Sequence, residues 1–200
     1  MSYISDYCRE AKEIIEKIDQ QEIEKIISIL LELRRNSGRL FFLGVGGSAA
    51  NCSHAVNDFR KIGGFEAYTP VDNVAELTAR TNDEGWTTVF EGWLKGSKLN
   101  ARDVVFVFSV GGGSKEKNIS ANLVFALDHA KKVDAKILGV VGRDGGYTAR
   151  VADACVIVPP LNPATVTPQA ESFQAVIWHM IVSDPRIMTM SNKWESVATG

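Results

Sequence analysis

Cysteine is scarce in this sequence. Its three cysteines, Cys8, Cys52 and Cys155, lie far apart and form no CxxC spacing. An odd number of scattered cysteines argues against a disulfide framework and against a thiolate metal site. The interpretation is that all three are reduced side chains that contribute to packing.

Long hydrophobic runs and an excess of one charge are absent as well. No apolar segment approaches the ~20 residues that a membrane-spanning helix requires, and the N-terminal stretch MSYISDYCREAKEIIEKID is too charged for a signal peptide. The formal net charge is only -2, without a basic run that would favour nucleic acid or an anionic membrane as a partner. We therefore expect a cytoplasmic protein that acts on a small molecule.

What is present predicts one domain over residues 1–200, because 200 residues with 45% hydrophobic content suffice for one sizeable core. Residues 3–36 carry apolar side chains at the spacing of two amphipathic helices. We divide the domain into a helical oligomerisation arm (1–36), an α/β core (37–184) and a tail (185–200).

The core region alternates short apolar runs with helical segments. Near-continuous apolar runs are typical of strands that are buried on both faces, as in a parallel sheet. The pattern predicts an α/β fold with a doubly wound, five-stranded parallel sheet flanked by helices. The runs are LFFLGVG (40–46), DVVFVFSV (103–110), KILGVVG (136–142) and ACVIVPP (154–160), with a weaker strand near FEAYTP (65–70).

Two glycine-rich turns follow predicted strands, at the edge where open parallel sheets bind ligands. They are GVGGSAAN (44–51) and SVGGGSKEKN (109–118). Glycines allow close approach of an anion, and a helix start after each turn would supply free N–H groups, so each turn is a candidate phosphate site. Neither fits the GxxxxGK[ST] or GxGxxG pattern, which disfavours nucleotide binding.

His54 and Asp58 stand just behind the first glycine turn. Because residues four apart share one face of a helix, an imidazole and a carboxylate are predicted to point together into the cleft above that turn.

The segments GVGGS (44–48), FSVGGGS (108–114) and GVVGRDGG (139–146) together resemble the sugar isomerase (SIS) domain family. DNVAELTARTNDEGW (72–86) is most similar to its phosphoheptose isomerase branch. The resemblance implies an aldose–ketose isomerase that converts sedoheptulose 7-phosphate to D-glycero-D-manno-heptose 7-phosphate through an enediol, in heptose biosynthesis. It also implies a homotetramer, with zinc in some members.

The resemblance assigns substrate binding to the two glycine turns and to one acidic residue. Val45 replaces an Asn, and Val110, Gly111 and Gly113 replace Thr, Ser and Asn of the family's phosphate loop, which leaves more of the binding to backbone N–H groups. Lys115 and Arg143 are candidates to assist the phosphate. The implied substrate-binding residues are Ser48, Asp83, Ser109, Gly111, Gly112, Gly113 and Ser114; Asp83 is equally explained as a residue that shapes a turn.

The resemblance also implies a catalytic and metal-binding set of His54, Asp58, Glu171 and His179, suited to one Zn²⁺ per site. Asp58 stands where the family has a longer Glu, and Glu171 where it has a Gln. Asp58 or Glu171 is the expected first base and His179 its acid/base partner. Glu171 and His179 are eight helical residues apart, a rise of about 12 Å, so the helix must bend or different subunits must contribute.

Two other interpretations stay open. The altered phosphate loop and the shorter Asp58 favour a non-catalytic SIS module that binds a phosphosugar or a protein partner. The same changes also fit an isomerase of another phosphosugar.

Overall fold

The fold, taken from a computed structural model, is described for residues 2–191 and 193. Two helices, α1 (Tyr3–Lys17) and α2 (Gln20–Arg35), precede the first strand. Ser2 caps the start of α1 and Asp19 the start of α2, each accepting backbone N–H groups through its side chain. The two predicted N-terminal helices are confirmed.

Five parallel strands form one sheet in the order β2-β1-β3-β4-β5. This confirms the predicted doubly wound parallel sheet. The strands are β1 (Leu40–Leu43), β2 (Ala67–Tyr68), β3 (Val104–Ser109), β4 (Lys136–Val141) and β5 (Ala154–Ile157). The remaining helices are α3 (Gly47–Lys61), α4 (Val74–Glu84), α5 (Val89–Gly96), α6 (Ala121–Lys132), α7 (Gly146–Val151) and α8 (Val166–Val182), with a 3-10 turn at Pro70–Asp72.

Alternate residues of the central strands face opposite sides of the sheet. Phe42 and Phe106 face the layer formed by α2, α3 and α8, whereas Phe41 and Val105 face the layer formed by α5 and α6. Because both faces are covered, all residues of β1 and β3 are buried. The two helices that carry the predicted catalytic residues, α3 and α8, therefore pack side by side on one face.

The edge strand β5 is covered by the N-terminal arm. Glu22 of α2 accepts a hydrogen bond from the backbone N–H of Cys155 at 3.0 Å through its carboxylate. In α1, by contrast, Ile14 is the only buried residue, and Tyr3, Ile4 and Ile15 are exposed. The predicted apolar stripe of α1 is thus only partly covered within one chain.

Part of the predicted tail packs on the domain. Ile187 is fully buried, and its carbonyl accepts a hydrogen bond from Arg34 Nη1 at 2.7 Å. Thr189 donates to the carbonyl of Ile62. Residues 192 and 194–200 of the predicted tail lie outside the described residues.

The cysteines are free, but only two of them are packing residues. Burial raises the pKa of the Cys52 thiol well above its usual value and that of Cys155 to about 12. Cys8 is exposed on α1, so the packing interpretation is wrong for this residue. Within the described part of the chain, no helix is both long enough and apolar enough to span a membrane.

Candidate active site

The first glycine turn delivers Ser48 to the start of α3. Ser48 is buried, and its hydroxyl accepts a hydrogen bond from Gln174 Nε2 of α8 at 3.0 Å. Asn51, one turn further along α3, donates to Gln174 Oε1 and to the backbone carbonyl of Glu171. These contacts fix the beginning of α3 against α8.

The second glycine turn packs directly against the GRDGG turn that follows β4. Gly112 has a φ of +66°, and a Cβ built there would lie 1.9 Å from the carbonyl oxygen of Gly145. A Cβ on Gly146 would lie 2.1 Å from the carbonyl oxygen of Gly111. Only glycine fits at these two contacts, which bring the loops after β3 and β4 together.

A pocket of about 530 Å³ opens between the two glycine turns and the GRDGG turn. It contains Arg143, which makes no hydrogen bond or ion pair to any described residue and therefore has its guanidinium available for an anion. The predicted residues that line it are Ser48, Ser109, Gly111, Gly113 and Ser114; its charged residues are Glu116, Lys117, Arg143, Asp144 and Arg150.

The details of the second turn differ from the sequence-based expectation. No helix starts directly after the glycines: α6 begins at Ala121, and residues 114 and 119 form an isolated antiparallel bridge instead. The Ser109 hydroxyl accepts the N–H of Gly112. The amides of Gly111 and Gly113 donate to no atom of the described residues, and both glycines line the pocket. Unpaired N–H groups are thus present in this loop without a helix N-terminus.

The Ser114 hydroxyl is already engaged by a carboxylate. It donates to Glu116 Oε2 at 2.9 Å. Hydrogen bonds from its own backbone amide and from Ser114 hold the pKa of Glu116 below its usual value. Lys115 points away from the pocket to Asp128, and this contact raises the pKa of Lys115.

Three of the four predicted metal-binding residues converge. His54, Asp58 and His179 each offer a ligand atom, and these atoms lie within 4.8 Å of one another. Asp58 Oδ2 lies 3.4 Å from His54 Nε2 and 3.3 Å from His179 Nε2. Asp58 is buried, whereas about half of each imidazole is exposed, so the cluster is open to solvent on one side.

The tautomer of His179 follows from its other ring nitrogen. Nδ1 lies 2.8 Å from the carbonyl oxygen of Ala175, which can only accept, so Nδ1 carries a proton. In the neutral ring, Nε2 then presents a lone pair to a lone pair of Asp58 Oδ2. The lone pair of Nε2 can therefore accept a proton or bind a metal ion.

The carboxylate of Glu171 lies elsewhere. A Cβ built on Gly47 would come within 2.6 Å of the Glu171 Cδ atom, which places this carboxylate against the start of α3. Glu171 is not part of the group formed by the other three residues. This agrees with the expectation that one straight helix cannot present Glu171 and His179 to the same ion.

Asp83 lies on α4, exposed to solvent, and accepts a hydrogen bond from its neighbour Asn82. It does not line the pocket within one chain. Its predicted role in binding a sugar stays a prediction.

The pocket and the cluster lie towards opposite ends of α3. Ser48 lines the pocket and Asp58 belongs to the cluster, a separation of about 15 Å along the helix axis. Gln174 lies between them on α8 and is fully buried. Between the pocket and the cluster, α3 and α8 are joined by the Gln174–Ser48 and Trp178–Asp58 hydrogen bonds.

Sequence reasoning missed the residues that hold the cluster and the pocket in place. Gln174 had a detectable signal, because an amide inside an apolar helix requires buried partners. The hydrogen bond from Trp178 to Asp58 had none, since a tryptophan in an apolar helix is indistinguishable from a core residue. The missed residues are Asn51, Asn57, Gln174 and Trp178.

The model of the SIS domain matches residues 6–142, well over half of the chain. The chain belongs to the SIS domain family. A phosphoheptose isomerase from Sulfurimonas denitrificans is 30% identical over 189 residues, 90% of this chain and 91% of the relative. The structure of a phosphoheptose isomerase from Neisseria gonorrhoeae matches with a TM-score of 0.76 and 26% identity, over 90% of this chain and 94% of the neighbour.

Another relative is a lincomycin biosynthesis protein from Streptomyces lincolnensis. It is 30% identical over 163 residues, which are 76% of this chain and 58% of the relative. The family model ends at residue 142, but the Neisseria gonorrhoeae structure matches 90% of this chain. The similarity in fold thus extends beyond the residues that the family model matches.

Proposed function

We propose that the protein is a phosphosugar isomerase, with sedoheptulose 7-phosphate as its substrate and D-glycero-D-manno-heptose 7-phosphate as its product. The observation that carries the proposal is the convergence of His54, Asp58 and His179 towards one end of α3, with an anion-compatible pocket at its other end. The similarity to phosphoheptose isomerases over 90% of the chain supports this substrate class.

The pocket is the proposed phosphate site. The free amides of Gly111 and Gly113 and the guanidinium of Arg143 supply donors, and Ser48, Ser109 and Ser114 supply hydroxyls. Anchoring the phosphate there would direct the carbonyl end of the sugar towards the histidines. Such anchoring converts proton transfer into a step between prepositioned groups.

Proton transfer is assigned to the cluster. Asp58 removes the proton from the carbon next to the carbonyl, which gives an enediol, and returns it to the neighbouring carbon. His179 moves a proton between the two substrate oxygens through Nε2, since its Nδ1 is held by Ala175. Glu171 is the alternative base, because its carboxylate lies at the start of α3, nearer the pocket.

The same cluster fits a divalent ion. Two imidazole Nε2 atoms and one carboxylate oxygen form a donor set that suits Zn²⁺. A bound zinc ion would polarise the substrate carbonyl. Glu171 would complete the set only from another subunit or after a movement of α8.

We expect purified protein to convert sedoheptulose 7-phosphate into the aldoheptose 7-phosphate, because a base and an acid lie next to each other in the cluster. Nuclear magnetic resonance of the sugar carbons is the direct measurement. In the Ser114→Ala variant, the KM should rise about fivefold, corresponding to ~1 kcal/mol for one lost hydrogen bond, while kcat stays unchanged.

The matched control is Thr78→Ala, which removes an exposed hydroxyl that bonds only within α4. Its kinetic constants should equal those of the wild type. A wild-type protein without turnover on any phosphosugar would contradict the proposal. An unchanged KM in Ser114→Ala would remove this hydroxyl from the phosphate site.

We infer that the protein forms a homotetramer with its sites near subunit interfaces. Tyr3 and Ile4 on α1 are exposed, as are Val176 and Met180 on α8, which lie next to His179. Apolar side chains around a half-exposed catalytic cluster are typical of a surface that another subunit covers.

Light scattering should therefore give a mass of about four times 21.9 kDa. The Val176→Glu substitution should shift the protein towards smaller species, because it places a charge on the covered surface. Lys12→Glu, on the polar side of the arm, serves as the control. A compact monomer at micromolar concentration would contradict the inference.

Another phosphosugar is the second candidate substrate. Val110, Gly111 and Gly113 offer no side-chain donors, and Glu116 occupies the Ser114 hydroxyl. A loop with these contacts would bind a phosphate through backbone amides and would tolerate a different sugar. Competition among heptose, hexose and pentose phosphates in the same assay separates these substrates.

A further inference from the structure

Trp178, the residue before His179, makes a hydrogen bond to the cluster that the proposed mechanism has not used. Trp178 is 1% exposed and stacks on Phe108 of β3, with ring centroids 5.7 Å apart and an interplanar angle of 19°. Its indole Nε1–H donates to Asp58 Oδ2 at 3.1 Å. The indole also contacts the rings of His54 and His179, at centroid distances of 5.2 and 4.8 Å, so neighbouring rings fix its position.

The oxygen that accepts this hydrogen bond is the one that faces both histidines of the cluster. Asp58 Oδ2 is also the oxygen that lies 3.4 Å from His54 Nε2 and 3.3 Å from His179 Nε2. The other oxygen, Oδ1, accepts from Asn57 Nδ2 at 3.0 Å. Each carboxylate oxygen thus has its own donor, and Trp178 selects the one that faces the histidines.

An aspartate carboxylate needs such donors to keep one orientation. Rotation about its terminal torsion has a broad, roughly two-fold profile, so the torsion itself does not fix the plane of the group. A ring that is rigidly packed beside the carboxylate fixes that plane. A buried indole N–H also requires an acceptor, so the bond is retained when the site is empty.

We propose that Trp178 is a positioning residue, whose indole N–H orients the Asp58 carboxylate so that Oδ2 lies between His54 and His179. The proposal rests on the proposed function of this cluster in binding a metal ion and in proton transfer. It adds a hydrogen-bond donor outside the three residues that contact substrate or metal. Loss of such a donor typically lowers metal affinity 10- to 100-fold.

The test is the Trp178→Phe variant, which keeps an aromatic ring on Phe108 but lacks the N–H. Zinc affinity, measured by competition with a chromophoric chelator, should fall about 10- to 100-fold. The visible absorption spectrum of the Co²⁺-loaded protein should change, because the carboxylate ligand is reoriented. Trp93→Phe is the matched control: Trp93 contacts Phe41 in the other helical layer, at 5.5 Å, and its loss should leave both readouts unchanged.

A crystal structure of metal-free Trp178→Phe gives a readout that does not depend on turnover. The Asp58 carboxylate should rotate, so that Oδ2 no longer faces both imidazoles. An unchanged carboxylate would overturn the proposal, and so would wild-type zinc affinity in this variant. If the wild-type protein binds no metal and isomerises no phosphosugar, the proposed function fails, whereas the orientation of Asp58 in this crystal structure still decides the role of Trp178.

Discussion

Replacing Asp58 by asparagine should lower kcat by about 100- to 10,000-fold, the usual contribution of a general base. The substitution keeps the size of the side chain but removes the negative charge that accepts the proton. Asp58 is buried, and it supplies the one carboxylate of its cluster with His54 and His179. Steady-state kinetics on sedoheptulose 7-phosphate give the measurement.

The matched variant is Glu171→Gln, since Glu171 is the other candidate base. A large loss of kcat in Asp58→Asn with a small loss in Glu171→Gln assigns the base to Asp58; the reverse result assigns it to Glu171. Normal turnover in both variants would contradict either assignment, whereas a wild-type protein without turnover would favour a non-catalytic SIS module.

Metal content separates two forms of the mechanism. The His54→Ala and His179→Ala variants should each lose most of about one equivalent of divalent ion, because each opens a coordination position. If elemental analysis finds no ion in the wild type while His179→Ala abolishes turnover, His179 acts as a proton shuttle without a metal.

Replacing Gly112 by alanine should lower the free energy of unfolding by about 3 kcal/mol, from a positive φ and an overpacked contact together. The added Cβ would lie 1.9 Å from the Gly145 carbonyl oxygen, which is backbone and cannot turn away. The loops after β3 and β4 must then separate, and the pocket widens. Urea denaturation at a fixed protein concentration gives the change.

Gly64→Ala is the control, because Gly64 has the same φ of +66° but its Cβ would meet Thr189 Oγ1 at 3.2 Å, a side-chain atom that can shift by a few tenths of an ångström. This variant should lose less, about 1 kcal/mol, most of it from the backbone conformation. Equal losses in the two variants would show that the contact between the loops contributes nothing.

Much of the fold follows from local patterns in the sequence. The apolar runs LFFL and VVFVF predicted strands that are buried on both faces. In the structure, every residue of β1 and β3 is buried. The predicted strands ran too long at their carboxyl ends, because glycine and valine after Leu43 are apolar and yet belong to the turn. Hydrophobicity alone does not locate the end of a strand.

Only those features of the site that depend on residue spacing within a single helix were predictable from the sequence. His54 and Asp58 follow from helical spacing, and the separation of Glu171 from the cluster follows from the helix rise. The delayed start of α6 did not follow, because the polar segment SKEKNIS contains no glycine or proline to mark a break. The contacts of Trp178 and Gln174 join α8 to residues more than 100 positions earlier, and one sequence does not specify such pairs.

Because the proposed phosphate site and the proposed proton-transfer cluster both lie on α3, this helix fixes the distance between them. Along α3, His54 lies about 9 Å and Asp58 about 15 Å from Ser48. If the phosphate of a sugar binds in the pocket, the length of the sugar decides which of its carbons reaches the cluster. Selection among phosphosugars would then depend mainly on the number of carbons between the phosphate and the carbonyl. Recognition of individual hydroxyls would contribute less.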